Sequence, residues 1–298
     1  TKNNIFRLNK DGQLYVNNNA YDITCTDSAI WQDHYVNRLF EIAKSVPVNN
    51  IYMDQLGNHN EVACYNASQN HTDPYCGLMG QSNLVKRLRE GYDKIRPGIS
   101  FGGEYAVTDY MSQYITYEYN YNCSKWYVGL DGVKIDPLID LYSFIFNNVR
   151  QYAIVIKPSA DDVIEDNESL KLVFFNGYGR NNYPSNDTEF VKNSMNIIRS
   201  FTDVFYSDNK TPLLNTSNKD FYVNKFASED NTKTVYTLLN KTGSAVNNVV
   251  INVENPDNYL YFDLWNNKQI TPVKSGNEVQ LDINLLSGDV GAVAVIKK

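Results

Sequence analysis

Two acidic residues stand at the ends of short apolar runs. In Asn50-Ile-Tyr-Met-Asp-Gln-Leu-Gly57 the run closes on Asp54, and in Ile99-Ser-Phe-Gly-Gly-Glu-Tyr105 it closes on Glu104. Each run reads as a parallel strand with a helical segment between them, which puts both carboxyls at the C-terminal mouth of a sheet. In barrels of alternating strands and helices that mouth is where catalysis takes place. Adjacent strands lie about 4.8 Å apart, so neighbouring carboxyls can face across one sugar ring. Glycoside hydrolysis uses such a pair, one acid to attack or stabilise and one to shuttle protons. A separation of about 5–5.5 Å implies retention through a covalent glycosyl-enzyme, and about 6.5–9.5 Å implies inversion. Gly102 and Gly103 are expected to let the backbone turn sharply and swing Glu104 into the cleft. The alternative is that each acid caps the following helix or pairs with a surface Lys or Arg.

The segments that position these acids alternate. Ile30, Trp31, Tyr35, Leu39, Phe40, Ile42 and Ala43 recur at helical spacing from Ser28 to Val46, with Thr26, Asp27 and Ser28 as candidate N-caps and Pro47 beyond the end. Residues 57–81 form a polar loop, Leu84 to Ile95 a second helix, and Ile99–Phe101 the next strand. A short helix is expected at Val107–Tyr114, a strand at Ile115–Tyr119, a helix over Asp136–Val149, a strand at Leu170–Phe175 and a long helix from Asp187 to Tyr206. Beyond Pro212 six short alternating segments, from Phe221 to Ile296, are separated by turn residues. The expected fold is α/β: a (β/α)8 TIM-type barrel over residues 1–214, followed by an antiparallel β-sandwich over 215–298. Only about five or six strand–helix units precede Pro212, against eight in a full barrel, so the first strands are expected on sequence N-terminal to Thr1. Thr1 is not an initiator Met, which suggests a processed chain or a fragment.

Net charge is −7 and no basic cluster exceeds Lys86-Arg87-Leu88-Arg89, which argues against a nucleic-acid partner. No apolar run approaches the roughly 20 residues of a membrane span. With 23 Tyr and 13 Phe the chain is rich in flat faces suited to sugars, or to ordinary amphipathic packing. Tyr52, Gln55, Tyr105 and Trp126 are candidate sugar contacts, and His71 a candidate hydroxyl-binding residue; Trp31 reads as core. Eight sequons, at Asn66, Asn70, Asn122, Asn167, Asn186, Asn209, Asn215 and Asn240, mildly favour an extracellular or cell-surface location. Four cysteines (Cys25, Cys64, Cys76, Cys123) allow three pairings, and Cys64 with Cys76 would close a turn-rich loop; reduced, partly buried cysteines are the alternative. His59, His71, Cys64 and Cys76 are metal-ligating types whose spacing matches no standard zinc pattern. Neither a metal nor a cofactor is expected.

Trp31-Gln-Asp33, Ile51-Tyr-Met-Asp-Gln-Leu-Gly57, Cys64-Tyr65, His71 and Gly102-Gly-Glu104 together resemble barrel glycosidases related to the α-galactosidase type and to endo-α-N-acetylgalactosaminidases. Asp136-Pro-Leu-Ile-Asp-Leu-Tyr142 and Leu172-Val-Phe-Phe-Asn-Gly-Tyr-Gly179 resemble later barrel segments of that family. The likeness runs from about Cys25 to Tyr206, and the terminal strands are similar to the family's closing β-domain. It implies a retaining hydrolase for an α-linked galactose- or N-acetylgalactosamine-like sugar, with Asp54 as nucleophile and Glu104 as acid/base of raised pKa. The loop departs from the family's His-Gly-His pattern, having Gln69-Asn-His71 and Asp73-Pro-Tyr-Cys-Gly77. Two other readings stay open: a non-catalytic carbohydrate-binding glycoprotein, and one chain of a heteromeric enzyme whose partner polypeptide supplies the N-terminal strands.

Overall fold

The computed structural model describes residues 4–17, 21–54, 56, 63–69, 71, 73–75, 77–104, 108–121, 138–154, 167–180 and 189–298. The chain forms two compact units, Thr1–Tyr119 and Asn120–Lys298.

The first unit begins with a small antiparallel pair, β1 (Val16–Asn17) and β2 (Tyr21–Asp22). Helix α1 (Ala29–Ser45) follows, and of the three candidate caps Ser28 is the one whose hydroxyl accepts from the Trp31 amide, at 3.4 Å. Ile30 and Ile42 point outward, while Gln32, Val36 and Ala43 are buried. Next come β3 (Asn50–Met53), α2 (Gly77–Ile95), β4 (Ser100–Gly103) and β5 (Tyr117–Tyr121). The expected helix at Leu84 starts about two turns earlier, in the glycine-bearing stretch Gly77-Leu-Met-Gly80 that propensity disfavours. Packing overrides propensity here: a Cβ on Gly80 would meet the backbone of Asp27, and Gln32 of α1 donates to the Gly80 carbonyl at 3.0 Å. Phe40, Tyr92 and Phe101 stack edge to face from α1 through α2 to β4, with ring centroids 5.5 and 5.7 Å apart. β3 pairs with β4, and β4 with β5, all parallel. Met111–Gln113 is a 3-10 turn where a short helix was expected.

The second unit contains α3 (Leu141–Ile145), β6 (Arg150–Ile154), α4 (Asn167–Phe175), β7 (Gly179–Arg180), α5 (Glu189–Ser200) and α6 (Thr202–Phe205). β6 and β7 pair in parallel. Three expectations change. The helix expected over Asp136–Val149 is the single short turn-and-a-half of α3, Leu141–Ile145, ended at Phe146 (φ −101, ψ 59). The run Leu170–Phe175 is helical, because Leu170, Phe174 and Phe175 bury on one side against neighbouring helices and a sheet; a short apolar run does not by itself distinguish strand from helix. The long helix from Asp187 is two helices, broken at Phe201 (φ −123, ψ 39).

The antiparallel strands are β8 (Asn209–Thr211), β9 (Phe221–Ala227), β10 (Lys233–Asn240), β11 (Val246–Asn252), β12 (Tyr259–Asp263), β13 (Lys268–Ile270), β14 (Val273–Ser275), β15 (Glu278–Leu285) and β16 (Val290–Lys297). They form a six-stranded sheet, β13-β12-β16-β10-β9-β8, and a three-stranded one, β11-β15-β14. Val223, Leu238, Tyr261 and Val293 of the larger sheet pack against Val249, Ile251, Val279 and Leu281 of the smaller. The other face of the larger sheet, with Phe226, Val235, Leu239, Ala292 and Ala294, packs against α4, α5 and α6. β15 therefore alternates strictly between exposed and buried, whereas β10 and β16 are buried almost throughout. Parallel strands with helices, then an antiparallel sandwich, are present as expected; among the described residues a closed eight-stranded barrel is not seen. No described helix is long and apolar enough to cross a membrane.

Candidate active site

Register sets the site. Met53 of β3 lies opposite Gly103 of β4 in parallel pairing, so Asp54 and Glu104 are the next residues on adjacent strand tips. Their carboxyls are close enough to interact directly. Asp54 is pushed above the usual carboxylate range, first by burial, then by the charge of Glu104 and the hydrogen bond with it. Asp54 remains exposed as a residue. The Tyr52 hydroxyl works in the opposite direction, donating to Asp54 Oδ1 at 3.4 Å. Tyr52 and Asp54 share a side of β3 because side chains alternate along a strand. The upward shift thus falls on Asp54, the carboxyl expected from the sequence to be ionised at the start of turnover.

Gly102 and Gly103 serve this geometry differently from the expected turn. Neither has a positive φ. A Cβ on Gly102 would overlap the carbonyl oxygen and ring of Tyr117, and one on Gly103 would lie 2.8 Å from Leu56 Cβ. The glycines make room for close packing: Tyr117 of β5 reaches past β4 and donates its hydroxyl to the Ile51 carbonyl of β3, at 3.1 Å. The ring of Tyr119 meets both Tyr52 (5.2 Å) and Tyr117 (5.7 Å) edge on. From α1, Tyr35 has its pKa raised first by burial and then by the charge of Asp54, and Trp31 stacks on Tyr35 at 5.0 Å. Sequence reasoning passed over Tyr35 and Tyr119; the one available signal was that Tyr35 lies one helical turn from Trp31. Glu118, also passed over, is fully buried opposite Gly103.

Of the other expected residues, Gln55, Tyr105, Trp126, Cys76 and His59 lie outside the described residues. His71 is partly buried, and its Nε2 is buried without a hydrogen-bond partner among the described residues. Cys64 is a buried thiol that donates to Gln69 Oε1 at 3.4 Å, and its candidate partner Cys76 lies outside the described residues; among the described residues no disulfide occurs. Asn66 and Asn240 are buried, with side-chain amides donated to the carbonyl of Phe6 and to those of Ser244 and Leu285 respectively, so a glycan on either would break the folded contacts. Asn209 and Asn215 are exposed. Asn167 opens α4, and Asn70, Asn122 and Asn186 lie outside the described residues.

Several solved structures share this fold. A GH27 β-L-arabinopyranosidase from Geobacillus stearothermophilus has 11% identity, with 98% of this chain and 67% of that one covered and a TM-score of 0.57. The GH36 α-galactosidase AgaA from the same organism has 10% identity over 99% of this chain and 42% of its own, with a TM-score of 0.57. An α-amylase from H. orenii has 10% identity over 100% of this chain and 74% of its own, with a TM-score of 0.58. At such identity the likeness is one of fold, and the fold is related to that of glycoside hydrolases. The chain spans less than half the length of AgaA. No curated protein matches the sequence. One family does, matching residues 4–152, half of the 298 residues: the chain belongs to the family described as a domain of unknown function, DUF6259.

Proposed function

We propose that the protein is a retaining glycoside hydrolase acting on an α-linked galactose- or N-acetylgalactosamine-like sugar. The observation that carries this reading is the direct contact of the Asp54 and Glu104 carboxyls at matched positions on adjacent parallel strands. Carboxyls on adjacent strand tips, with strands about 4.8 Å apart, belong at the short end of the glycosidase range, on the retaining side, where no water must fit between them. Fold likeness to glycosidases, an α-galactosidase among them, supports the reaction class. In this reading residues 1–214 are the catalytic part, built on the later strands of a (β/α)8 barrel, and 215–298 the accessory sandwich. The exposed sequons at Asn209 and Asn215 support an extracellular or cell-surface placement.

A sugar entering at the strand tips parts the carboxyls, and Asp54, beside the Tyr52 hydroxyl, takes the charge while Glu104 keeps the proton. Asp54 attacks the anomeric carbon as Glu104 protonates the departing oxygen. Glu104, now ionised, takes a proton from water, whose oxygen displaces Asp54 and releases the sugar. Aryl α-galactosides and α-N-acetylgalactosaminides test the proposal. Asp54→Asn and Glu104→Gln should each lower turnover at least about a hundredfold. Asp54→Asn should leave thermal stability at neutral pH equal to wild type or higher, because it removes a carboxylate disfavoured by its neighbour. Turnover near wild type in either variant would refute the roles.

A further inference from the structure

Three soft donors converge in the first unit, away from any local metal-binding spacing in the sequence. Cys25 follows β2, its amide donating to the Ile5 carbonyl at 2.8 Å and its carbonyl accepting from Ser28 at 3.1 Å. Cys64 lies in the loop after β3, its amide donating to the Pro74 carbonyl at 2.7 Å. His71 follows the turn Ala67–Gln69. The Sγ atoms of Cys25 and Cys64 and an imidazole nitrogen of His71 all lie within 4.8 Å of one another. Both cysteines are buried, at 0% and 1% exposure, and His71 Nε2 is shut off from solvent with no hydrogen-bond partner among the described residues.

We propose that Cys25, Cys64 and His71 form a thiolate–imidazole site for a zinc-type cation. Thiolate and imidazole donors select such soft or borderline ions, and three of them fill three of the four tetrahedral positions. With Zn–S near 2.3 Å and Zn–N near 2.0 Å, tetrahedral donors stand about 3.4–3.8 Å apart, within an ångström or so of the spacing here. A disulfide between the two cysteines would leave His71 Nε2 without a partner, whereas a cation occupies all three groups. Binding displaces a proton from each thiol to solvent, so affinity rises with pH.

The ion would reinforce an existing seam. Asn66 and Gln69 each donate a side-chain amide to the Phe6 carbonyl at 2.9 Å, and the Tyr65 amide donates to the Leu8 carbonyl at 2.9 Å. Bridging Cys25 to Cys64 and His71 cross-links the N-terminal segment to this loop. His71 is then a ligand rather than a sugar contact. The proposal does not depend on the Asp54–Glu104 chemistry, so either can fail alone.

The test is metal titration of the full chain, purified under reducing conditions and stripped with a chelator. One equivalent of Co²⁺ should bind with sulfur-to-cobalt charge transfer and strong visible bands, be displaced by one equivalent of Zn²⁺, and raise the thermal midpoint. Cys25→Ser and Cys64→Ser should weaken the charge-transfer band and lower affinity about tenfold or more, and His71→Gln should lower affinity similarly. His71, being only partly buried, offers a variant that keeps the fold if the cysteine variants do not. Overturning results are failure of the wild-type protein to bind Co²⁺ or Zn²⁺, binding unchanged in all three variants, or a Cys25–Cys64 disulfide that persists in reductant and excludes metal.

Discussion

Gly102→Ala tests how the catalytic edge is built. The added methyl would overlap the Tyr117 carbonyl oxygen and come within 2.8 Å of two carbons of its ring. The carbonyl belongs to β5 and cannot swing aside, so β4 and β5 must separate or the Tyr117 ring must move. Overpacking of this kind costs about 1–3 kcal/mol. Displacing the ring also endangers the Tyr117 hydroxyl bond to Ile51 O, a further 0.5–1.5 kcal/mol or so. Together the loss is about 2–4 kcal/mol, a fall in thermal midpoint of roughly 5–15 °C for a chain of this size. Because Glu104 is two residues along the same strand, a shift of about 1 Å should also lower turnover, by up to about a hundredfold. Urea and thermal unfolding read the first effect and aryl glycoside hydrolysis the second. Gly12→Ala is the comparison: its φ is +75 but its Cβ would meet nothing within 4 Å, so it carries only backbone strain, about 1–2 kcal/mol, with no effect on turnover. A Gly102→Ala protein within 0.5 kcal/mol or so of wild type and fully active would refute the packing argument.

Tyr52→Phe removes the group that holds the Asp54 pKa down, so the acidic limb of the pH–rate profile should move to higher pH; an unmoved limb would mean the hydroxyl does not serve Asp54. Lys210 is partly buried, and burial and Arg150 bring its pKa down from 10.5 to about 8. Between those values the unfolded chain binds more protons, so this group's contribution to stability rises with pH across that window. Lys210→Met should therefore raise the thermal midpoint at pH 7 and flatten that rise; a lower midpoint at pH 7 would show that the ammonium is stabilising.

The two acids were legible because each ends an apolar run, and equal position on parallel strands follows from the fold class alone. Helix α1 and the strands β9, β10 and β15 were legible for a related reason, since strong periodicity survives tertiary context. What was hidden depends on partners distant in sequence. The start of α2 follows from Gly80 lying against Asp27, and α4 is a helix because a sheet made from residues after 220 covers its apolar side. The short strands β8, β13 and β14 are three residues each, too few to show alternation. The purpose of Gly102 was misjudged because a glycine that clears space and one that turns the chain look alike until Tyr117 is placed. Cys25, Cys64 and His71 are far apart in sequence with no local motif, and only the fold brings them together.

Because the six-stranded sheet is covered on both sides, the C-terminal sandwich is not a detachable cassette. Cutting after Leu214 would strip away β8 and lay bare Phe226, Val235, Leu239, Val290, Ala292 and Ala294 in one continuous greasy strip. Such a piece would invite self-association. Any graft of this sandwich onto another protein, by engineering or by recombination, has to carry α4, α5 and α6 with it.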